Sequence, residues 1–423
     1  MSIDSLTIPS PPALFQHRPF VYFWLARVFT ASGFQMQGVV LGWQVYQLTG
    51  SALDLGLVGL CQFLPRVFLT PWAGYMADRF DRRRIAQAAQ LLQCGVLAVL
   101  CLASARGLVS RQLVFALVAV SGAARTFEMP ATQALLSAVV PATLLSRAVA
   151  ISASAVQAAT LIAPAVAGFL YLLGAPVAYA LTAVLYVAAA GAMSIVPSVV
   201  RQSVGGQAGF LVAFAQGIRF LRRHPVVLGA ISLDMFAVLL GGATALLPMM
   251  ADVLLKTGPQ GLGLLRAAPA VGALGMSVWL AGHPPRSAGR WMFRAVGVFG
   301  LVTIGLGLSR SLALSLALLP VLGAADMVSV VIRQTLVQLH TPDAMRGRVS
   351  AVNAIFIGAS NQLGEFESGL TAQWFGLVPS IVFGGIGTLL VTVLWMRWFP
   401  QLAQAQALDA VHPADALPAH HSM

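Results

Sequence analysis

A chain of 423 residues that is 58% hydrophobic and only 9% charged does not read as a soluble enzyme, because a soluble fold is roughly 25% charged and keeps that charge on its surface. The mean hydropathy of +0.83 points instead to an integral membrane protein. The net charge of +12 is no nucleic-acid footprint, since the basic residues lie in short loops between apolar runs and form no single patch with interleaved aromatics.

The first stretch, "MSIDSLTIPSPPALFQHRPF", has an acid, prolines and no basic n-region, so it reads as an N-terminal tail over 1–18 and not as a signal peptide. A helix needs about 20 apolar residues to cross a bilayer. Twelve such runs follow, at 19–47, 53–76, 85–105, 110–137, 148–172, 176–196, 224–250, 257–281, 290–308, 312–339, 349–373 and 377–399. A barrel would show alternating strands of about ten residues, so helix is the expected state throughout. The chain thus divides into a six-helix bundle over 19–196, a linker over 197–223, a second bundle over 224–399 and a disordered tail over 400–423. In the linker, Phe210, Phe214, Ile218 and Leu221 recur at helical spacing and Arg219, Arg222 and Arg223 crowd one end, the pattern of an amphipathic helix lying on the membrane face. Cys61, Cys94 and Cys101 fall inside apolar runs and fit no zinc spacing, so they read as small core residues. The tail's His412, His420 and His421 read as solvated residues, and no metal or other cofactor is expected.

Placing both termini on one side gives that side sixteen Arg and Lys, against four (Arg106, Arg111, Lys256 and Arg310) on the other. The bias puts both termini in the cytoplasm.

The chain also rhymes with itself at a shift of 201 residues. Gly122-Ala123-Ala124 meets Gly323-Ala324-Ala325, Gln133 and Leu135 meet Gln334 and Leu336, Pro141 meets Pro342, Arg147 meets Arg348, and Gly168 meets Gly369. A parallel repeat of six helices predicts two pseudo-symmetric bundles around a central path.

Six charges in seven residues, Asp78 to Arg84, interrupt the apolar sequence between the second and third runs. Gly74, Asp78-Arg79 and Arg82-Arg83-Arg84 together resemble motif A of the major facilitator superfamily, and the helix count and repeat agree with it over essentially the whole chain. That motif has glycine where this chain has Asp81; an acid there is similar to a branch of bacterial exporters resembling the enterobactin exporter, as are "GWQVYQLTGSALDLGLVGL", "ARTFEMPATQALLSAVVP" and "TPDAMRGRVSAVNAIF". The resemblance implies a conformational latch. Gly74 would allow close helix approach, Asp78 would cap the eleventh helix near Arg348, and the arginines would pair with acids and anionic lipid while the cytoplasmic side is shut. The fifth run carries Ala159, Ala163-Pro164 and Ala167-Gly168 at the spacing of motif C of proton-coupled exporters, with most of its glycines replaced by alanine. Small residues there favour tight helix packing in either case.

Ionisable residues at membrane depth are costly and usually face a cavity or a partner. Here they are Arg27, Arg66, Arg125, Glu128, Asp234, Arg266, Asp326, Arg333, Glu365 and Glu367. Arg125 and Glu128, three apart on one helix, are placed to pair, and Asp326 is the repeat partner of Arg125, which suggests a salt bridge across the path. Glu365 and Glu367 stand about 200° apart on a helix, so only one faces the cavity. Glu128, Asp326 and Glu365 are the candidates for proton coupling. Arg27, Gln35, Arg125, Asp234 and Arg333 are candidates for the substrate cavity, with Gln37 and Gln44 beside Gln35.

The expected activity is secondary-active export of a small amphiphilic compound, such as a drug, siderophore or metabolite, coupled to protons by alternating access. The alternative is an importer or uniporter with the same fold. No Walker-type loop is present to bind ATP. His17, His224, His283 and His340 are scattered without a His–acid motif, which argues against a membrane enzyme, and no added soluble domain suggests a sensor. The expected partners are the small-molecule substrate, protons and the lipid bilayer, in a monomer of the bacterial inner membrane that binds no nucleic acid.

Overall fold

Three helices of the first half start where a short polar side chain takes over from the missing backbone partners. Ser51 accepts from the Asp54 amide at the head of α2 (Ala52–Arg79), Asp81 from the Arg83 amide at α3 (Arg82–Ala105), and Ser110 from the Leu113 amide at α4 (Arg111–Val139). In the computed structural model, which describes residues 14–198, 210–283, 285 and 287–405, α1 (Arg18–Thr49), α5 (Leu145–Leu170) and α6 (Ala175–Ile195) complete the first half. After α7 (Phe210–Arg223) come α8 (Pro225–Leu240), the three-residue α9 (Leu247–Met249), α10 (Gly258–Gly282), α11 (Ala288–Leu308), α12 (Leu312–Leu339), α13 (Asp343–Phe375), α14 (Leu377–Trp398) and a terminal turn, α15 (Pro400–Gln404).

Ten of the described segments are long and apolar enough to cross a membrane. The other two of the twelve expected are α1 and α13, of 32 and 33 residues, which are long enough but more polar. They carry Arg27 and the glutamines in one half, and Glu365 and Glu367 in the other. The chain is a multi-pass membrane protein, and these two helices bring its polar groups inside.

The halves pair their helices identically. In the first, α1 packs on α5 and α6, α2 on α4, and α3 on α4 and α6. In the second, α8 packs on α13 and α14, α10 on α12, and α11 on α12 and α14. The repeated glycines are the crossing points. A Cβ on Gly122 would strike the Gln62 backbone of α2, and one on Gly323 the Pro269 backbone of α10. Between the halves, α2 packs on α13 and α10 on α5, again as a symmetric pair. Gly369 lies against Ala52 and Gly56, while Gly168 lies against Pro259 and Gly263, so backbones touch at both crossings. Both crossings sit toward the face where α2 and α10 begin, opposite the arginine-rich α2–α3 turn.

Three sequence expectations change. The seventh run is not one helix. It breaks at Gly241-Gly242 and continues through a 3₁₀ turn (Ala243–Leu246), α9 and a π turn (Met250–Leu254). Gly242 lets α8 approach α13 there, against the Gly364 backbone, while Gly241 lies against Phe299 of α11 and Thr388 of α14. The amphipathic helix forms as α7, but Ile218 and Leu221 join a cluster with Val227, Ile231, Val349 and Val352 of α8 and α13. Its apolar face therefore packs on the second half; the Phe210 side chain lies outside the described residues. The tail is ordered for one further turn, because Leu402 of α15 buries against α8 and α11. His412, His420 and His421 lie outside the described residues.

Candidate functional site

A polar cavity of about 420 Å³ lies between the halves. From the first half it is lined by Phe34, Gln35 and Gln37 of α1 and Gln62 of α2; from the second by Arg266, Asp326, Asn361, Gln362 and Glu365. The α8 break at Gly241-Gly242 also opens onto it, bringing backbone into a water-sized space as broken membrane helices do. Of the α1 glutamines, Gln35 and Gln37 line this cavity, and Gln37 donates to the Ser121 hydroxyl at 3.0 Å. Gln44 is not: it donates to Ser104 at 2.8 Å and accepts from Tyr179 at 2.6 Å within the first half.

Two charged side chains of the second half reach across the closed face. Arg266 lies over Gly38 and Gly42 of α1, where an added Cβ would come within 3.0 and 3.4 Å of its guanidinium nitrogens. The Glu365 carboxylate fills the space over Gly59 of α2, and its backbone lies on Gly56. Glu365 stands 201 residues after Pro164, which occupies the matching place against Gly263 in the α5–α10 crossing. Glu365 therefore belongs to both the cavity and the contact between the halves. Glu367, half-buried, accepts from the Ser368 hydroxyl at 3.5 Å and lies outside that cavity lining. At mid-helix Arg66 lies against Gly358 of α13.

A second cavity of about 210 Å³ lies inside the first half, lined by Arg27, Thr30, Gln90, Arg125, Glu128, Thr132 and Gln133 among others. Arg125 and Glu128 do not pair as their spacing suggested. The guanidinium of Arg125 lies 3.4 Å over the Phe34 ring, and Glu128 accepts from Gln90 at 3.2 Å. The Gln90 amide nitrogen also meets the Thr30 hydroxyl at 3.1 Å. The suggested bridge from Arg125 to Asp326 is absent as well, because the two line different cavities. Asp234 and Arg333 line neither of these cavities. They form a buried ion pair at 3.3 Å, completed by the Ser329 hydroxyl on Asp234 at 2.9 Å and by Arg333 donating to Asn353 at 2.9 Å.

The arginine-rich loop is tied into its own half. Asp81, the departure from the motif, caps α3 and pairs with Arg83 at 3.8 Å and Arg84 at 3.9 Å. Arg83 donates to the Ser194 and Val196 carbonyls, both at 3.1 Å, and so closes the end of α6. Arg82 donates to the Ala77 carbonyl at 3.0 Å, and Arg79 lies 4.7 Å over the Tyr75 ring. A Cβ on Gly74 would meet nothing within 4 Å, so no close helix approach occurs there in this conformation. The Asp78 side chain lies outside the described residues. Of the motif C-like positions, Ala159 and Ala163 are buried, and Pro164 and Gly168 carry the contact with α10. No group of three or more His, Cys, Asp or Glu that could hold a metal occurs among the described residues.

Two six-helix halves with matched packing, joined at one face around a polar cavity, define a membrane transporter of the major facilitator fold. Solved structures share it: a point mutant of the nucleoside transporter NupG superposes with a TM-score of 0.74 at 11% identity, covering 90% of this chain and 100% of that one. A bacterial homologue of the human lysosomal transporter Spinster, inward-facing and occupied, gives 0.71 at 12% identity, covering 93% and 98%. The family described as transmembrane secretion effector matches residues 9–421, and the chain belongs to this family of the major facilitator superfamily. The enterobactin exporter EntS of Escherichia coli O139:H28 is 26% identical over 402 residues, 89% of this chain and 92% of that protein. The same protein of Escherichia fergusonii matches equally.

Proposed function

We propose that this transporter is a proton-coupled exporter of a small amphiphilic compound, working by alternating access as a monomer in a bacterial inner membrane. The likeness to an exporter of 26% identity supports the direction, and the sixteen-to-four arginine and lysine bias supports cytoplasmic termini. On that orientation the joined face is the outer one, and the cavity in this conformation belongs to the cytoplasmic side.

The observation that carries proton coupling is the position of Glu365, at once in the cavity lining and in the α2–α13 contact. A charged carboxylate is expensive in a dry helix contact, whereas a protonated one fits. Protonation from outside would let the outer face close over the neutral side chain. Loss of the proton to the cytoplasm would favour reopening. Arg266 and Asp326 face the same cavity, and Arg266 interacts electrostatically with Glu365. Asp326 and Glu128 are further coupling candidates. In the opposite conformation the Gly74–Arg84 segment would act as the cytoplasmic latch.

The test is proton flux in proteoliposomes under an imposed pH gradient, across a panel of amphiphilic compounds, with Glu365→Gln and Asp326→Asn beside the wild type. Compound-driven proton flux in the wild type that a carboxyl variant abolishes is the expected result. Compound movement with no proton flux in any variant would contradict antiport and leave the uniporter or importer reading.

A further inference from the structure

The two cavities meet at the contact between Phe34 and Arg125. Phe34 lines the central cavity, and its ring carries the guanidinium of Arg125, which lines the cavity inside the first half. The inner cavity holds two arginines and one carboxylate, Glu128. That carboxylate is engaged by Gln90, and among the described residues none lies within ion-pair distance of Arg27 or Arg125. The Nε of Arg27 is buried without a hydrogen-bond partner. With the face of Arg125 covered by Phe34, its remaining N–H donors lie in the guanidinium plane, the geometry that takes a planar two-oxygen acceptor. A positive charge kept uncompensated at membrane depth is costly unless an anion arrives to meet it.

We propose that the transported amphiphile carries a single anionic head, bound between Arg27 and Arg125 in the inner cavity, while its apolar body lies past Phe34 in the central cavity. This rests on the transporter reading and names its substrate class. The inner volume of about 210 Å³ exceeds the roughly 150 Å³ that accommodates benzene, so it admits a carboxylate-bearing head and excludes a whole amphiphile. The central cavity supplies Leu41, Leu55, Val58, Phe299 and Leu322 for the body. Thr30 and Gln133 offer further donors around the head.

The experiment is equilibrium binding of two matched probes to the purified full chain in detergent, read by tryptophan-to-dansyl energy transfer. Dansyl-glycine carries the carboxylate and dansyl-glycinamide replaces it with a neutral amide. The acid is expected to bind the wild type about tenfold more tightly than the amide, the loss typical of one charge-assisted contact. Arg125→Gln is expected to remove that preference, weakening acid binding more than amide binding, and Arg125→Lys to keep part of it. Equal affinity of the two probes for the wild type, or no acid binding up to about 1 mM, the weak end of specific recognition, would overturn the proposal without any variant having to fold. An Arg125→Gln loss shared equally by acid and amide would overturn it too. Binding is read without transport, so a protein that prefers the acid yet moves no protons would contradict the coupled-export reading and leave this one standing.

Discussion

The two halves share a scaffold and treat buried arginine in opposite ways. Arg333 on α12 is closed off: its side chain is 2% exposed, paired with Asp234 and held by Asn353. Arg125 on α4, the matching helix of the other half, meets an aromatic ring and an open cavity, with a second arginine nearby. A buried ion pair positions helices and has its charge already matched. A cation held on a ring and without an ion-pair partner keeps its in-plane donors for a ligand. The same packing plan therefore carries a paired charge in one half and, on the proposal above, a ligand-binding charge in the other.

The comparison breaks most visibly at Arg333. Replacing it with Gln leaves Asp234 buried without its partner, which costs about 3–5 kcal/mol. The expected outcome is loss of monodisperse protein or a large drop in thermal unfolding temperature, with Asp234→Asn/Arg333→Leu recovering part of it. Arg125→Gln sharpens the contrast: it removes no ion pair, only the contact with the Phe34 ring, and is expected to lower the unfolding temperature less than Arg333→Gln. Similar losses for the two variants would erase the distinction.

The next effect concerns the joined face. Gly263→Val puts a branched side chain where the Pro164 carbonyl and Gly168 backbone already touch. Overpacking of this kind costs about 1–3 kcal/mol. Here it falls on the closed conformation, so accessibility of a cysteine at Gln35 to reagent added from the outer face should rise. The smallest effect is expected at Asp54→Asn. It breaks the 2.5 Å ion pair with Arg111, whose side chain is half exposed, so the loss should be about 1 kcal/mol in the same unfolding assay.

Much of the fold was legible because membrane helices write their length into the sequence, and because the repeat marked real contacts. Gly122 with Gly323, and Gly168 with Gly369, came from a shift of 201 residues and proved to be matched crossing points. The break in the seventh run was missed because hydropathy is blind to backbone; Gly241-Gly242 was the signal available. The site was legible as an inventory of costly charges and not as their pairing. Spacing along α4 put Arg125 beside Glu128, but Phe34 and Gln90 come from α1 and α3, and only the folded packing decides between those partners. The Asp81 cap is legible in the sequence as an acid directly before a helix, at the position where motif A has glycine.

The most direct test of the account is the state of the α2–α13 contact as Glu365 gains or loses its proton. Ser51 and Gln373 meet across it, 3.5 Å apart. With Cys61, Cys94 and Cys101 replaced and cysteines placed at Ser51 and Gln373, a short bis-maleimide reports closure in proteoliposomes. The account predicts that cross-linking rises as the pH falls, and that Glu365→Gln gives the high yield at every pH. A yield independent of pH in the wild type and unchanged by Glu365→Gln would contradict it.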